Sequence, residues 1–348
     1  MLNISSKSLA RKYRPKTLRE ICAQSAITDI LENQIKNKTF RNTALFTGPA
    51  GTGKTTAARA FAYELNGGKG LPIELDCASN NSVDDMRDLI VRAQQKSLDS
   101  EYKVFILDEV HVLSSQAYQA LLKIFEEPPA NSIFLLCTTD PQKIPATILS
   151  RVQRFDFQRI PFDIIVERLK YVIDCENGEL EDADKIEFEE PAIHFIAKLA
   201  DGGMRDALTK LDKVLSFSHH VTLENVINAL GATDYSIFFN LTNDIFDCKE
   251  KEVIEIIESI YQRGADLKQF IKQYLLFLLD VCKYSLAKNF DYISIPDTYK
   301  KDLDYIIGID EKFLRYMLSE VNKINSEIKW EMQVKPIIEL RLLGMAKE

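Results

Sequence analysis

Residues 42–55 read Asn42-Thr43-Ala44-Leu45-Phe46-Thr47-Gly48-Pro49-Ala50-Gly51-Thr52-Gly53-Lys54-Thr55. A short apolar run, Asn42–Thr47, ends in a glycine-rich turn, and an alanine-rich helix is predicted over Thr55–Leu65. The last eight residues match the G-x-x-x-x-G-K-[ST] pattern at every fixed position, in the strand–turn–helix context that pattern needs. Glycines let the backbone curl so that its N–H groups converge on phosphate oxygens. The following helix adds the positive end of its dipole. Lys54 supplies a mobile cation for the outer phosphates, and the Thr55 hydroxyl can ligate Mg²⁺. Gly48, Pro49, Ala50, Gly51, Thr52, Gly53, Lys54, Thr55 and Thr56 are therefore the candidate nucleotide-binding residues. A chance glycine-rich turn is the bland alternative, and a complete match in this context argues against it.

Downstream, Val104-Phe105-Ile106-Leu107-Asp108-Glu109 delivers two adjacent carboxylates from a buried strand. In open α/β sheets ligands bind at the carboxyl edge, where such a strand ends. Asp108 is the expected Mg²⁺ holder and Glu109 the group that polarises an attacking water. Alone this is a weak signal, since strands often end in acidic turns; it gains weight from the upstream loop.

Around these motifs strands and helices alternate. Strands are predicted at Leu71–Cys77, Lys103–Leu107 and Ser132–Thr138. A turn at Ser79–Ser82 leads into a helix from Val83 to about Gln95, and a second helix, Ser115–Phe125, is closed by Pro128-Pro129. This pattern predicts a parallel sheet with flanking crossover helices. After about Pro161 strand signals vanish. Helices are predicted at Asp163–Ile173, Pro191–Ala200, Arg205–Phe217 and Thr222–Ala229, with the acidic stretch Cys175–Glu190 as a surface loop. From Asp234 the reading is again helical, at Lys249–Gln262, Asp266–Lys288, Glu311–Asn325 and Lys335–Met345.

Bulk properties exclude several classes. With 348 residues, 46% hydrophobic and 28% charged, the chain is expected to fold into two or three domains. No apolar run reaches membrane-spanning length, and the basic segment Met1–Arg19 has no apolar h-region; a cytoplasmic protein without membrane contact is expected. The six cysteines, 22, 77, 137, 175, 248 and 282, include no Cys-x-x-Cys pair, so neither zinc nor a disulfide framework is expected. The net charge is −8, yet residues 1–60 hold eleven Lys/Arg against three Asp/Glu, a local +8, which leaves room for a phosphate-binding surface.

Beyond these motifs, the chain resembles AAA+ clamp-loader ATPases, most closely the DNA polymerase III gamma/tau family. The resemblance rests on Ala10-Arg11-Lys12-Tyr13-Arg14-Pro15, the P-loop, Ala78-Ser79-Asn80-Asn81 with Asp84-Asp85-Met86-Arg87, and Asp108-Glu109-Val110-His111. It continues through Leu121-Leu122-Lys123, Glu126-Glu127-Pro128-Pro129, Thr138-Thr139-Asp140-Pro141-Gln142-Lys143-Ile144-Pro145, Ser150-Arg151-Val152-Gln153-Arg154-Phe155 and Gly203-Met204-Arg205-Asp206-Ala207-Leu208. It covers roughly residues 8–231, with Pro336–Met345 familiar beyond.

The resemblance implies an α/β P-loop AAA+ domain at residues 1–161, a small helical lid at 162–231 and an all-α collar or oligomerisation domain at 232–348. It also implies roles. Thr139 corresponds to the sensor-1 position near the γ-phosphate, Arg205 to sensor 2, and Arg151 to the arginine finger that reaches a neighbouring subunit's nucleotide. Tyr13, Arg14 and Pro15 correspond to the segment beside the adenine. Read singly, Arg205 and Thr139 have bland alternatives, as a surface arginine and a strand-end threonine. His111 is expected to pack or hydrogen-bond.

The implied function is that of an ATPase motor subunit, using ATP and Mg²⁺ to open a sliding clamp and place it on primer–template DNA. Partners would be other loader subunits in a hetero- or homo-oligomeric, pentameric ring, the clamp, and DNA through phosphate contacts. Asn80, Asn81, Arg87 and Ser114–Gln116 are the candidate phosphate contacts, and the helix Val83–Ala93 the candidate clamp contact. The alternatives are a different AAA+ machine, such as a helicase or remodeller, and a structural loader subunit without hydrolysis. Two departures stand out. The family's four-cysteine zinc module is replaced by Asn66-Gly67-Gly68-Lys69-Gly70, and its Ser-Arg-Cys by Ser150-Arg151-Val152; a phage-type or divergent bacterial subunit fits both. No long tail follows Glu348, so contacts of the tau type to a polymerase or helicase are not expected.

Overall fold

The structure is a computed structural model, and it describes residues 8–97, 99–181, 184–231, 234–308 and 311–346. The first seven residues of the basic segment, two residues of the acidic stretch and the first two residues of the expected collar lie outside the described residues. In chain order the elements are α1 (Leu9–Lys12), α2 (Ser25–Asn37), β1 (Thr43–Thr47), α3 (Lys54–Leu65), β2 (Ile73–Asp76), α4 (Val83–Gln94), β3 (Lys103–Asp108), α5 (Ser115–Glu126), β4 (Ser132–Thr138), α6 (Ala146–Leu149), β5 (Gln153–Asp156) and α7 (Phe162–Glu179). There follow β6 (Glu187–Phe188), α8 (Glu190–Leu199), α9 (Met204–Phe217), β7 (His220–Val221), α10 (Leu223–Leu230), α11 (Tyr235–Phe246), α12 (Glu250–Gln262), α13 (Leu267–Ala287), α14 (Lys300–Ile307), α15 (Glu311–Glu327) and α16 (Val334–Met345). None of these helices is long and apolar enough to cross a membrane.

The chain divides into two compact units. The first runs to Gly178 and takes in Ala200–Asp212. Its five strands form one parallel sheet in the order β2-β3-β4-β1-β5. The three central strands, β3, β4 and β1, are buried along nearly their whole length because both faces are covered, as parallel sheets require. Leu45, Phe105, Leu107, Phe134 and Leu136 point to one face, against Met86 and Leu89 of α4 and Leu121, Ile124 and Phe125 of α5. Ala44, Phe46, Val104, Ile106, Ile133 and Leu135 point to the other, against Ala57, Ala58 and Phe61 of α3 and Leu31 of α2. That period of two is the pleat itself.

The second unit comprises Glu179–Leu199 and the residues from Lys213 onward. It is helical around an aromatic core. Phe238 of α11 lies 5.6 Å from Tyr274 and 5.4 Å from Phe277 of α13, centroid to centroid. The fully buried Tyr274 hydroxyl shares a 3.0 Å hydrogen bond with Thr242.

Three expectations need correction. A fifth strand, β5, pairs in parallel with β1; it was not legible because only Phe155 of its four residues is buried. The acidic stretch is not one loop. Helix α7 continues through Cys175 to Glu179, where Glu176 meets Lys12 at 3.0 Å. Strand signals also do not vanish after Pro161, since Glu187–Phe188 pairs with His220–Val221.

Candidate nucleotide-binding and active site

The order of the sheet sets the site. Strands β1 and β3 flank β4, with Thr47 paired to Thr138 and Leu107 to Leu136. Three strand ends therefore arrive side by side at the carboxyl edge: Thr47 leading into the P-loop, Asp108-Glu109, and Thr138-Thr139. Ligands of open α/β sheets bind at such an edge.

The P-loop needs its glycines for conformation and for space. Gly48 has φ +141° and Gly53, the residue before α3, has φ +105°. A Cβ on Gly48 would collide with the Phe157 carbonyl, and one on Gly51 would lie 3.1 Å from Gly203 Cα. Gly203 directly precedes α9, so this close approach brings Arg205, in the first turn of α9, over the loop. The Thr52 hydroxyl donates to the Pro49 carbonyl at 2.9 Å. The amide of the buried Gln24 donates to the Gln158 carbonyl at 2.8 Å and accepts from the Gln158 N–H at 3.3 Å, bolting the segment that follows β5 beside the loop.

Lys54 is only 6% exposed, and its Nζ donates to the Gly48 and Pro49 carbonyls, each at 2.8 Å. Burial pulls its pKa down, and Glu109, Cys137 and Asp108 pull it back up. Two neutral carbonyls compensate a desolvated cation only in part, so the position favours an incoming anion. Thr55 Oγ1 donates to Asp108 Oδ2 at 2.9 Å, and Asp108 Oδ1 accepts from the Glu109 N–H at 3.1 Å. Two hard oxygen donors thus face each other across the gap between α3 and β3, the donor type Mg²⁺ takes.

Glu109 has a left-handed backbone, φ +51°, which costs a non-glycine residue about 1 kcal/mol. Its Oε2 accepts from the Thr139 hydroxyl at 3.0 Å and the Thr139 N–H at 3.3 Å, and lies 3.2 Å from His111 Nδ1. His111 Nδ1 is also 3.2 Å from the Thr138 hydroxyl. The expectation that His111 hydrogen-bonds is met: its partner is the Thr138 hydroxyl, and the same nitrogen lies beside the second carboxylate of the motif.

Lys54, Thr55, Asp108 and Glu109 border a cavity of about 660 Å³, within the range of ligand pockets. Of the residues expected from sequence, Tyr13, Arg14, Pro15, Pro49 to Thr56, Asp108, Glu109 and Arg205 line it. Gly48 and Thr139 act through their neighbours rather than on its wall, and Arg151 lies elsewhere. Sequence reading missed Ile21, Ile160, Met204, Arg159 and Arg168, which also line it. Arg168 donates to the Tyr13 carbonyl at 3.1 Å and sits 4.9 Å over the Tyr171 ring, so it fixes the Tyr13-Arg14-Pro15 segment from 155 residues away. No local pattern marks such a residue.

The candidate phosphate contacts sit at two adjacent helix starts. Ser82 and Ser114 cap α4 and α5, and the Ser114 N–H reaches the Asn81 carbonyl at 3.4 Å. Arg87 is exposed but pairs with Asp84 at 2.8 Å, and the Asn80 amide donates to the Asp76 carbonyl at 2.9 Å.

Comparison with known proteins bears on the whole chain. Residues 73–161 match the family profile described as DNA polymerase III, delta subunit. Residues 164–220 match the DNA polymerase III clamp loader subunit, ATPase lid domain, and residues 221–305 match DNA polymerase III subunits gamma and tau domain III. The DNA polymerase III subunit tau of Bacillus subtilis is 34% identical, over 99% of this chain and 64% of its own length. The subunit tau/gamma of Haemophilus influenzae is 36% identical, over 76% of this chain and 40% of its own. The chain thus spans less than two thirds of these two relatives. The DNA polymerase III subunit gamma of Buchnera aphidicola is 32% identical, over 87% of this chain and 88% of its own. Among solved structures, Thermotoga maritima RuvB superposes with a TM-score of 0.51 at 18% identity, over 73% of this chain and 86% of that one; this likeness is one of fold, the AAA+ type of P-loop sheet. Sheet order, P-loop geometry and 32% identity over nearly the full length of a gamma subunit converge: the chain belongs to the DNA polymerase III gamma/tau family.

Proposed function

We propose that the chain is the ATP-hydrolysing motor subunit of a sliding-clamp loader acting in the cytoplasm. The observation that carries this reading is the Thr55–Asp108 hydrogen bond at 2.9 Å. It brings the P-loop helix and the carboxylate pair together under one cavity, which is the arrangement that hydrolysis of a nucleoside triphosphate requires.

In this reading ATP lies with its adenine between the Tyr13-Arg14-Pro15 segment and Met204. Its phosphates lie on the backbone N–H groups of Gly51 to Thr55, and Lys54 exchanges its two carbonyl partners for phosphate oxygens. Mg²⁺, held by Thr55 and Asp108, would neutralise charge on the outer phosphates. Glu109 orients the attacking water once Thr139 releases its carboxylate, and Arg205 steadies the γ-phosphate from α9. Arg151 serves the nucleotide of an adjoining subunit.

The division into an AAA+ domain, a lid and a collar, with boundaries near 161 and 231, belongs to the same proposal. So do the pentameric ring of loader subunits, the sliding clamp and primer–template DNA. DNA contacts would be to phosphate, since a loader works on any sequence. Asp84 and Asp85 place two carboxylates in the first turn of α4. The start of α5 at Ser114–Gln116 is therefore the better anion site.

The test is ATP turnover by the loader complex with clamp and primed DNA. Glu109→Gln is expected to lower turnover by about 100-fold or more, with nucleotide affinity changed less than about threefold. A wild-type complex that neither turns over ATP nor loads a clamp overturns the motor reading.

A further inference from the structure

Arg151 is anchored where it can serve another chain, and all three nitrogens of its guanidinium hold a partner. It sits between the buried Ile148 and Val152, which fix its backbone. Nε donates to Glu126 Oε1 at 2.7 Å, and Nη2 donates to the same oxygen. Nη1 donates to the Thr147 carbonyl at 2.6 Å and to Ser150 Oγ at 3.2 Å. Glu126 is equally well based. It is the last residue of α5, directly after the buried Ile124 and Phe125, and Pro128-Pro129 stop the chain beyond it.

We propose that Glu126 is the positioning residue for Arg151: it grips the Nε–Nη2 edge of the guanidinium and presents the Nη1 edge to a phosphate of an adjoining subunit. This rests on the trans role of Arg151 given above. The two sets of partners differ in kind. The carboxylate makes charge-assisted bonds to two nitrogens, whereas Nη1 is held by a carbonyl and a hydroxyl, both neutral. An arriving phosphate displaces the neutral acceptors and leaves the carboxylate in place. The side chains of Arg151 and Glu126 are 33% and 46% exposed, and ion pairs so exposed add little to stability. What the pair supplies is orientation. A long arginine otherwise loses its rotamer freedom only when it reaches its target.

The experiment measures clamp- and DNA-stimulated ATP turnover of the complex recovered with the tagged full chain. It compares Glu126→Ala, Glu126→Gln, Arg151→Ala and the double variant Glu126→Ala/Arg151→Ala. Glu126→Ala is expected to lower turnover by about 10-fold, less than the roughly 100-fold that a full ångström of misplacement can cost, because the arginine stays free to find its target. Glu126→Gln keeps an oxygen for Nε and is expected to lower it by about threefold. The double variant should be no slower than Arg151→Ala alone, because Glu126 acts only through the arginine. Nucleotide affinity of the isolated chain, whose cavity Glu126 does not line, should stay within about twofold in every variant and also reports folding. A loss in Arg151→Ala with none in Glu126→Ala overturns the proposal alone, as does an equal loss from Glu126→Ala in the Arg151→Ala background. No loss in Arg151→Ala overturns the trans role itself, and the proposal with it.

Discussion

Two buried charges, one in each unit, show how differently the same problem is solved. Lys54, at the sheet edge, is 6% exposed and holds two backbone carbonyls. Asp280, in α13, is 5% exposed, accepts the Ser294 N–H at 2.6 Å and sits 3.4 Å from Lys283 Nζ. The carboxylate has a backbone donor and a counter-cation inside its own unit and needs nothing more. The lysine is desolvated, its pKa is lowered by burial, and its partners carry no charge. A buried charge matched inside its unit ties local structure together. One whose direct hydrogen-bond partners are all neutral is set for a ligand, and its cost is carried by packing elsewhere.

The comparison breaks most sharply at Lys54. Lys54→Met is expected to abolish ATP turnover, by about 1000-fold or more, while leaving stability unchanged or slightly raised, because it removes a desolvated cation. Turnover assays paired with thermal melting check both halves; a large fall in melting temperature would make Lys54 a structural charge like Asp280. Asp280→Ala should do the reverse. It orphans the Ser294 N–H and costs about 2 kcal/mol, measured by denaturant unfolding, with nucleotide affinity of the first unit unchanged. Asp280→Asn keeps an acceptor for that N–H and should cost about half as much.

The smallest effect is expected at Asp156, the last residue of β5. It accepts from the Thr47 hydroxyl and from Arg154. Burial raises its pKa, but those hydrogen bonds and the Arg154 charge outweigh it, so the net shift is downward. A depressed carboxylate stabilises above its unfolded pKa, and that stabilisation is lost as pH falls through the folded value. The Asp156 side chain is half exposed, so Asp156→Asn should cost less than about 1 kcal/mol at pH 7. The difference from wild type should shrink as pH drops below about 4, which unfolding curves at pH 7 and pH 3 would compare.

How much was legible follows from the range of each signal. The glycine pattern before Lys54, the apolar strands and the Asp108-Glu109 pair depend on neighbours a few positions away, and all were read where the structure has them. Helix α5 was read to within one residue because its apolar face repeats at helical spacing and two prolines end it. Strand β5 was not, since an edge strand with one buried residue carries no run of apolar side chains. The extension of α7 through acidic residues was missed because composition suggested a loop where Lys12 supplies a partner.

The local order of residues thus determined a nucleotide-binding α/β sheet followed by helices, and named the loop and the carboxylates at its edge, because backbone conformation and side-chain period are short-range properties. Tertiary structure alone decided that Gln24 bolts Gln158, that Arg168 supports Tyr13, that Thr139 holds Glu109 beside His111, and that Glu126 grips Arg151. Those pairs meet only because the fold brings distant segments together, Glu109 and Thr139 at the carboxyl edge of the sheet and Glu126 and Arg151 beside the strand starts at the opposite edge, and hydrogen bonds between such segments leave no period along the chain.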